Sequence, residues 1–182
     1  TRGFDLPLPA GAEGAKRVVF FPGSTIGNFD RGEAATFLKR MAELVGSGGG
    51  VIVGADLKKD PAVLVAAYDD SRGVTAAFNK NLLVRMNAEL GADFDLEAFR
   101  HRAIWNDGKG RIEMHLESLR AQQVTIDGRR FAFGAGETIH TENSHKFTIA
   151  EFQAMATASG LAPRAAWTDP QERFSVHYLE AR

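Results

Sequence analysis

The chain has 182 residues, of which 44% are hydrophobic and 25% charged, and its formal net charge is −1. This composition predicts a folded protein with a buried core, and the lack of a basic excess argues against a nucleic-acid partner. The absence of cysteine excludes disulfides and thiol chemistry within the chain, and we expect a cytoplasmic protein. No apolar run is long enough to span a membrane and no signal pattern is present, so we expect no membrane contact. Residues 1–15, rich in proline, glycine and alanine, predict a linker, and the missing initiator methionine predicts processing or truncation.

The next segments of the chain predict a strand–helix–strand unit. Residues 16–21 form an apolar run of β-branched and aromatic side chains, which predicts a buried strand. Asp30 and Glu33 have the spacing of a capping box and predict a helix that ends at Gly46. Residues 51–55 are a second apolar run. A strand, a helix and a strand within about 40 residues favour a parallel sheet.

After residue 59 the sequence pattern changes. Residues 60–89 are predicted to be helical, with Phe78 and Leu82 among the apolar contacts. Alternating segments joined by Asp-Gly turns then predict antiparallel strands. These strands are expected at residues 99–105, 111–122, 130–133 and 137–147. The aromatic residues Trp105 and Trp167 lie at strand spacing and are predicted to be core.

The last segment of the chain is predicted to return to the first sheet. Thr148 and Glu151 form a second capping-box pattern, and the helix that follows is expected to end near Ser159. Two strands are expected after it. We therefore predict that residues 1–59 and 148–182 form one α/β part, and that residues 60–147 form an inserted α+β part.

The turn at residues 22–28 is the strongest sign of a ligand site. A strand that enters a glycine-containing turn and then a helix is how α/β folds place ligands at the carboxyl edge of a sheet. The turn matches neither the Walker pattern nor G-x-G-x-x-G. Asn28 can offer its amide to a carboxylate or an amine, and the simpler alternative is that Asn28 only turns the chain.

Three further side chains are candidates for ligand contacts. Glu142 and Ser144 are two residues apart, so on a strand they share a face and suit a ligand with N–H groups such as an imidazole. The alternative is a solvated strand face. Tyr68 offers a hydroxyl and a ring, with ordinary packing as its alternative. His140 and Glu142 on one strand face leave a weak metal hypothesis, but zinc needs three or four converging ligands, and we expect no metal.

Five segments carry a resemblance to a known family: residues 21–28 (FPGSTIGN), 68–70 (YDD), 73–81 (GVTAAFNKN), 94–95 (FD) and 141–147 (TENSHKF). In these segments the chain resembles the histidine-specific methyltransferases that use S-adenosylmethionine (SAM), a family that includes the histidine Nα-methyltransferases of ergothioneine biosynthesis. The resemblance extends over nearly the whole chain from about residue 18. It implies a Rossmann-like methyltransferase sheet, represented by its later strands only, with an inserted α+β substrate-binding domain.

The resemblance also implies an activity and a site. The activity is SAM-dependent trimethylation of the α-amino nitrogen of L-histidine. The implied substrate-binding residues are Gly23, Asn28, Tyr68, Met114, Glu142 and Ser144. Asn28 and Tyr68 would hold the amino-acid end, and Glu142 and Ser144 the imidazole. The glycine would line the pocket through its backbone, and the methionine would pack beside the ring.

The resemblance leaves some alternatives open. The family's main SAM loop is expected upstream of this chain, so we assign no cofactor-binding or catalytic residue within it. The chain alone is then expected to be incomplete, and a non-catalytic ligand-binding or interaction module is one alternative. Another is a methyltransferase for tryptophan or tyrosine, although the polar pair Glu142 and Ser144 favours imidazole. An exposed sheet edge could also support self-association.

Overall fold

The computed structural model describes residues 14–182, so residues 1–13 of the predicted linker lie outside the described part. Within it the helices and strands follow a simple order. They are β1 (Val18–Phe21), α1 (Arg31–Val45), β2 (Gly50–Asp56), α2 (Pro61–Tyr68), α3 (Val74–Leu90), β3 (Phe99–Asn106), β4 (Arg111–Ser118), β5 (Gln122–Ile126), β6 (Arg129–Phe133), β7 (Thr138–His145), α4 (Ile149–Ala158), β8 (Leu161–Thr168) and β9 (Phe174–Ala181). No helix in this range is both long and apolar enough to cross a membrane.

The first and last segments together build a four-stranded sheet in the order β1-β2-β9-β8. Strands β1 and β2 are parallel, and β9 is antiparallel to both of its neighbours. Helices α1 and α4 contribute Leu38, Met41 and Phe152 to the core over this sheet. The predicted strand–helix–strand unit and both predicted capping boxes are confirmed.

Between β2 and α4 the chain forms a separate set of elements. Strands β3, β4 and β7 make an antiparallel sheet, and β5 pairs with β6 in a hairpin. Two apolar clusters fill this part, one around Phe94 and Phe99 and the other around Leu64 and Ile112. The prediction of an α/β fold with an inserted α+β part is confirmed, while the exact boundaries at residues 59 and 148 stay predictions.

Two predicted elements divide further. The helical stretch 60–89 breaks into α2 and α3, because Gly73 takes a left-handed φ of 69° and the Asp70 carboxylate accepts from the backbone N–H groups of Val74 and Thr75. The long strand predicted at residues 111–122 ends at Ser118, whose hydroxyl donates to the backbone oxygen of Arg120 across a turn.

Several side chains predicted to be buried are exposed. On β1, Val18 is 55% and Phe20 68% exposed, because successive side chains of a strand point to opposite faces and Val19 and Phe21 occupy the face that packs on the core. On α3, Phe78 is 67% exposed and Leu82 is also exposed. Trp167 is exposed near the end of β8, which is the other edge strand. The prediction of burial is therefore wrong for these residues.

The turn after β1 approaches β7 very closely. Residues Thr25–Asn28 form a single 3₁₀ turn, and Gly27 within it is buried. A Cβ on Gly27 would lie 2.7 Å from the backbone oxygen of His145 and 3.6 Å from the Ser144 hydroxyl. Glycine at position 27 is thus what lets the turn lie against β7 and carry Asn28 to that strand.

We predict that Gly27→Ala lowers the free energy of unfolding by about 1–3 kcal/mol, because the new methyl group meets backbone that cannot rotate away. Gly32→Ala is the matched control: no atom lies within 4 Å of its Cβ position, and in α1 the change should stabilise by up to about 1 kcal/mol. Urea unfolding measures both. Equal stability of Gly27→Ala and the parent would show that the turn is not held against β7.

A buried histidine gives the fold a pH dependence. His177 on β9 is 0% exposed, its Nε2 lies 2.9 Å from the Ser175 hydroxyl, and its ring packs on Phe152. The Ser175 hydroxyl donates to the backbone oxygen of Ala55, so it can accept from Nε2–H of the neutral ring. Burial lowers the pKa of His177 to about 4.

We therefore predict that the protein loses stability as the pH falls from about 6.5 to about 4. In this window the unfolded chain takes up a proton at His177 that the folded chain excludes, at up to about 1.4 kcal/mol per pH unit. His177→Gln cannot titrate and should show a shallower slope in urea unfolding below pH 6.5. Identical slopes in the two proteins would contradict the assignment.

Candidate functional site

Four of the residues predicted to bind a ligand come together where the two parts of the fold meet. Asn28 ends the 3₁₀ turn after β1, Tyr68 ends α2, and Glu142 and Ser144 lie on β7. The Asn28 amide Nδ2 donates to Glu142 Oε1 at 3.1 Å. The Tyr68 and Ser144 hydroxyl oxygens are 2.7 Å apart. The structure thus arranges the four side chains as two hydrogen-bonded pairs, and their role in binding stays a prediction.

The other two predicted residues have different surroundings. Met114 on β4 is the cross-strand neighbour of Glu142, is 4% exposed, and belongs to the apolar cluster on which Tyr68 packs. Its side chain therefore lies on the same sheet face as Glu142, and its place beside a ligand ring stays a prediction. Gly23 is exposed in the turn after β1, with a left-handed φ of 77° and no atom within 4 Å of its Cβ position. Its place in the ligand pocket stays a prediction.

A charged pair that the sequence analysis missed lies behind the two hydroxyls. The Lys146 side chain is 0% exposed, and its Nζ lies 2.7 Å from Asp56 Oδ2. The same nitrogen donates to Tyr68 Oη at 2.9 Å and to Ser144 Oγ at 2.8 Å. A sequence signal existed, because residues 142, 144 and 146 follow the period of two that places strand side chains on one face.

Glu142 has an environment that opposes and favours its charge at the same time. Burial raises the pKa of Glu142 above its ordinary value, while the hydrogen bond from Asn28 and the positive charge of Lys146 work against that rise. The ionised carboxylate therefore depends on these two neighbours. In that form it is a hydrogen-bond acceptor suited to an N–H group of a ligand.

Two cavities flank the site. The smaller, of about 240 Å³, is lined by Asn28, His140, Thr141, Glu142 and Asn143. The larger is an open groove of about 830 Å³ between the start of α1 and the turn before β4, and it contains basic and acidic side chains in mixture. None of the six predicted residues, all within the described range, lines the larger groove, so we place the candidate site at the smaller cavity.

The weak metal hypothesis based on His140 and Glu142 is wrong. A register shift between β4 and β7 pairs Glu142 with Met114 but His140 with His115, which puts Glu142 and His140 on opposite faces of the sheet. His140 instead joins Glu113 and His115, with one donor atom from each lying within 4.8 Å of the others. The two histidine rings stack with centroids 4.6 Å apart and planes 18° apart, so their nitrogen lone pairs lie in two nearly parallel planes and do not converge on one ion. We assign no metal to this cluster.

Comparison with known proteins identifies the family. The sequence model described as "Histidine-specific methyltransferase, SAM-dependent" matches residues 5–181. The histidine N-alpha-methyltransferase of Mycolicibacterium smegmatis is 45% identical over 88% of this chain and 51% of its own length. That of Mycobacterium tuberculosis is 44% identical over 95% of this chain and 54% of its own. The chain belongs to the family of histidine-specific, SAM-dependent methyltransferases, and the resemblance found in the sequence is confirmed.

The matches cover only part of each relative. The chain spans about half the length of the curated relatives it matches. Among solved structures, the CcbJ methyltransferase from Streptomyces caelestis aligns with a TM-score of 0.49 at 16% identity, over 96% of this chain and 64% of that one.

The predicted cytoplasmic location and self-association stay predictions.

Proposed function

We propose that this chain forms the amino-acid-binding part of a SAM-dependent methyltransferase that acts on the α-amino nitrogen of L-histidine. The observation that carries the proposal is the contact between Asn28 and Glu142 in the lining of one small cavity, in a chain of the histidine-specific family. Ser144 lies two residues further along β7 and is hydrogen-bonded to Tyr68. Transfer of three methyl groups would give a betaine.

The two polar pairs keep the hydrogen-bonding capacity that such a ligand needs. In the Asn28–Glu142 bond, one N–H of the amide and Oε1 of the carboxylate are used. The second amide N–H, the amide oxygen and Glu142 Oε2 are left for a ligand. Glu142 would accept the imidazole N–H, and Asn28 would hold the amino-acid end. Because the two residues touch, both ends of a small substrate would be fixed by one connected unit.

Fixing both ends is the main contribution we propose for these residues. SAM supplies an electrophilic methyl group when it is bound. The exposed backbone at Gly23, at the carboxyl end of edge strand β1, leaves room for a cofactor beside the turn, and we assign no described side chain to it. The amine must present its lone pair along a single line, so its orientation by bound groups accounts for much of the expected acceleration.

The first test is ligand binding. Calorimetric titration of the chain with SAM and with L-histidine should be repeated on a version extended to the length of the relatives. We expect the extended protein to bind both and to methylate histidine. If neither version binds either ligand, a non-catalytic module is favoured. If the extended protein methylates tryptophan or tyrosine in preference to histidine, the substrate assignment is wrong.

We further predict that Glu142→Ala in the extended protein weakens histidine binding by about 5- to 150-fold, because the imidazole N–H loses a half-buried charged acceptor worth about 1–3 kcal/mol. The affinity for SAM should stay within about twofold. Glu180→Ala is the matched control, because this glutamate pairs with Arg164 at the far side of the first sheet. Unchanged histidine affinity in Glu142→Ala, measured by calorimetry, would refute the imidazole contact.

A further inference from the structure

Lys146 is the most completely buried charged group near the candidate site. Its side chain is 0% exposed, while its ion-pair partner Asp56 retains 19% exposure. Removing an ammonium group from water costs several kcal/mol unless it gains an ion pair and hydrogen bonds in return. A lysine kept in such a place is therefore expected to do something that an apolar side chain of the same size would not.

All three N–H donors of the Lys146 ammonium group have an acceptor. An ammonium group has three N–H donors and no acceptor. Lys146 Nζ has three oxygen neighbours at bonding distance, namely Asp56 Oδ2 at 2.7 Å, Ser144 Oγ at 2.8 Å and Tyr68 Oη at 2.9 Å. Each hydroxyl oxygen therefore accepts a hydrogen bond from Lys146, and neither hydroxyl can donate one to the ammonium group.

Counting the hydroxyl protons of Tyr68 and Ser144 shows what the two groups can offer to a ligand. Tyr68 and Ser144 have two hydroxyl protons between them, and one is used in their mutual 2.7 Å contact. Either oxygen can be the donor in that contact, but in both cases one proton is left over. The pair thus keeps one hydrogen-bond donor that its contacts with each other and with Lys146 do not use.

We propose that Lys146 is a positioning residue that makes the Tyr68–Ser144 pair a single hydrogen-bond donor directed at the substrate. The inference rests on the proposed function and adds to it the chemical class of the group that the pair selects. That group is an acceptor with a lone pair, such as the unprotonated ring nitrogen of a neutral imidazole or a carboxylate oxygen. Glu142, which is an acceptor, would instead select a ligand group with an N–H donor.

Lys59 provides a matched control for this role. Its Nζ pairs with the other oxygen of Asp56 and with the backbone oxygen of Arg173. Both lysines thus neutralise the same aspartate, but of the two it is Lys146 that donates hydrogen bonds to the hydroxyls of Tyr68 and Ser144. Substitution of Lys59 removes only a charge next to Asp56, whereas substitution of Lys146 also removes the hydrogen bonds that orient the two hydroxyls. Comparing variants of the two lysines therefore separates these two effects.

The main experiment measures steady-state kinetics of Lys146→Met and Lys59→Met in the extended protein. For Lys146→Met we expect the KM for histidine to rise by about tenfold or more, with the KM for SAM within about twofold and a smaller change in kcat. For Lys59→Met the KM for histidine should stay within about twofold. Equal histidine KM values in Lys146→Met and the parent would overturn the inference.

A second variant covers the case in which Lys146→Met does not fold because Asp56 is left underpaired. Asp56→Asn with Lys146→Met removes both charges of the pair together and avoids a half-buried carboxylate that has lost one of its two lysines. Asp56→Asn alone keeps the lysine contacts to the hydroxyls and should retain the parent KM for histidine better than the double variant. A double variant no worse than Asp56→Asn would overturn the inference.

The proton count has its own test. Tyr68→Phe and Ser144→Ala each leave one hydroxyl, and hence one free proton, so we expect the double variant to lose more histidine affinity than the product of the two single losses. Losses that simply multiply would indicate two independent donors and would contradict the count. If the parent itself fails to bind histidine, the proposed function fails. If the parent binds and the Lys146 variants bind equally well, this inference alone fails.

Discussion

The ion pair between Lys146 and Asp56 is the interaction on which the arrangement of the site depends. Asp56 ends strand β2 of the first sheet, and Lys146 directly follows strand β7 of the inserted part. The next residues continue the junction, because Phe147 N–H donates to the backbone oxygen of Asp56 and Lys58 N–H donates to that of Phe147. The pair therefore joins the two parts of the fold at the point where the polar side chains gather.

Backbone contacts bring the turn after β1 to the same junction. The Ser24 hydroxyl accepts from the backbone N–H of Asp56 at 2.8 Å, and Gly27 allows the turn to lie on β7 without a side chain between them. These contacts hold Asn28 within hydrogen-bond distance of Glu142. A small displacement of the turn would break that bond, so packing at Gly27 and polar contact at Asn28 are parts of one constraint.

The sequence predicted the features that depend on local rules. Asp30 with Glu33 and Thr148 with Glu151 form capping boxes because three-residue spacing alone decides that geometry. The sequence did not predict the exposure of Phe20, because an apolar run does not reveal whether both faces of its strand are covered. It also missed the register shift at His140, which depends on strand pairing that no local pattern encodes. The period of two relates Lys146 to Glu142 and Ser144, but it does not reveal that the lysine is fully buried.

The hydrogen-bonding pattern of the site bears on the choice among aromatic amino acids. On the proposed function, Glu142 offers an acceptor and the Tyr68–Ser144 pair offers one donor. A neutral imidazole has one N–H and one ring lone pair, so it satisfies both. An indole has an N–H but no lone-pair acceptor, and it would leave the donor unpaired at a cost of about 1–3 kcal/mol. A phenol has both functions on one oxygen and would have to bring that atom to two places. The two-site pattern therefore favours histidine by leaving a polar group unsatisfied whenever another ring is bound.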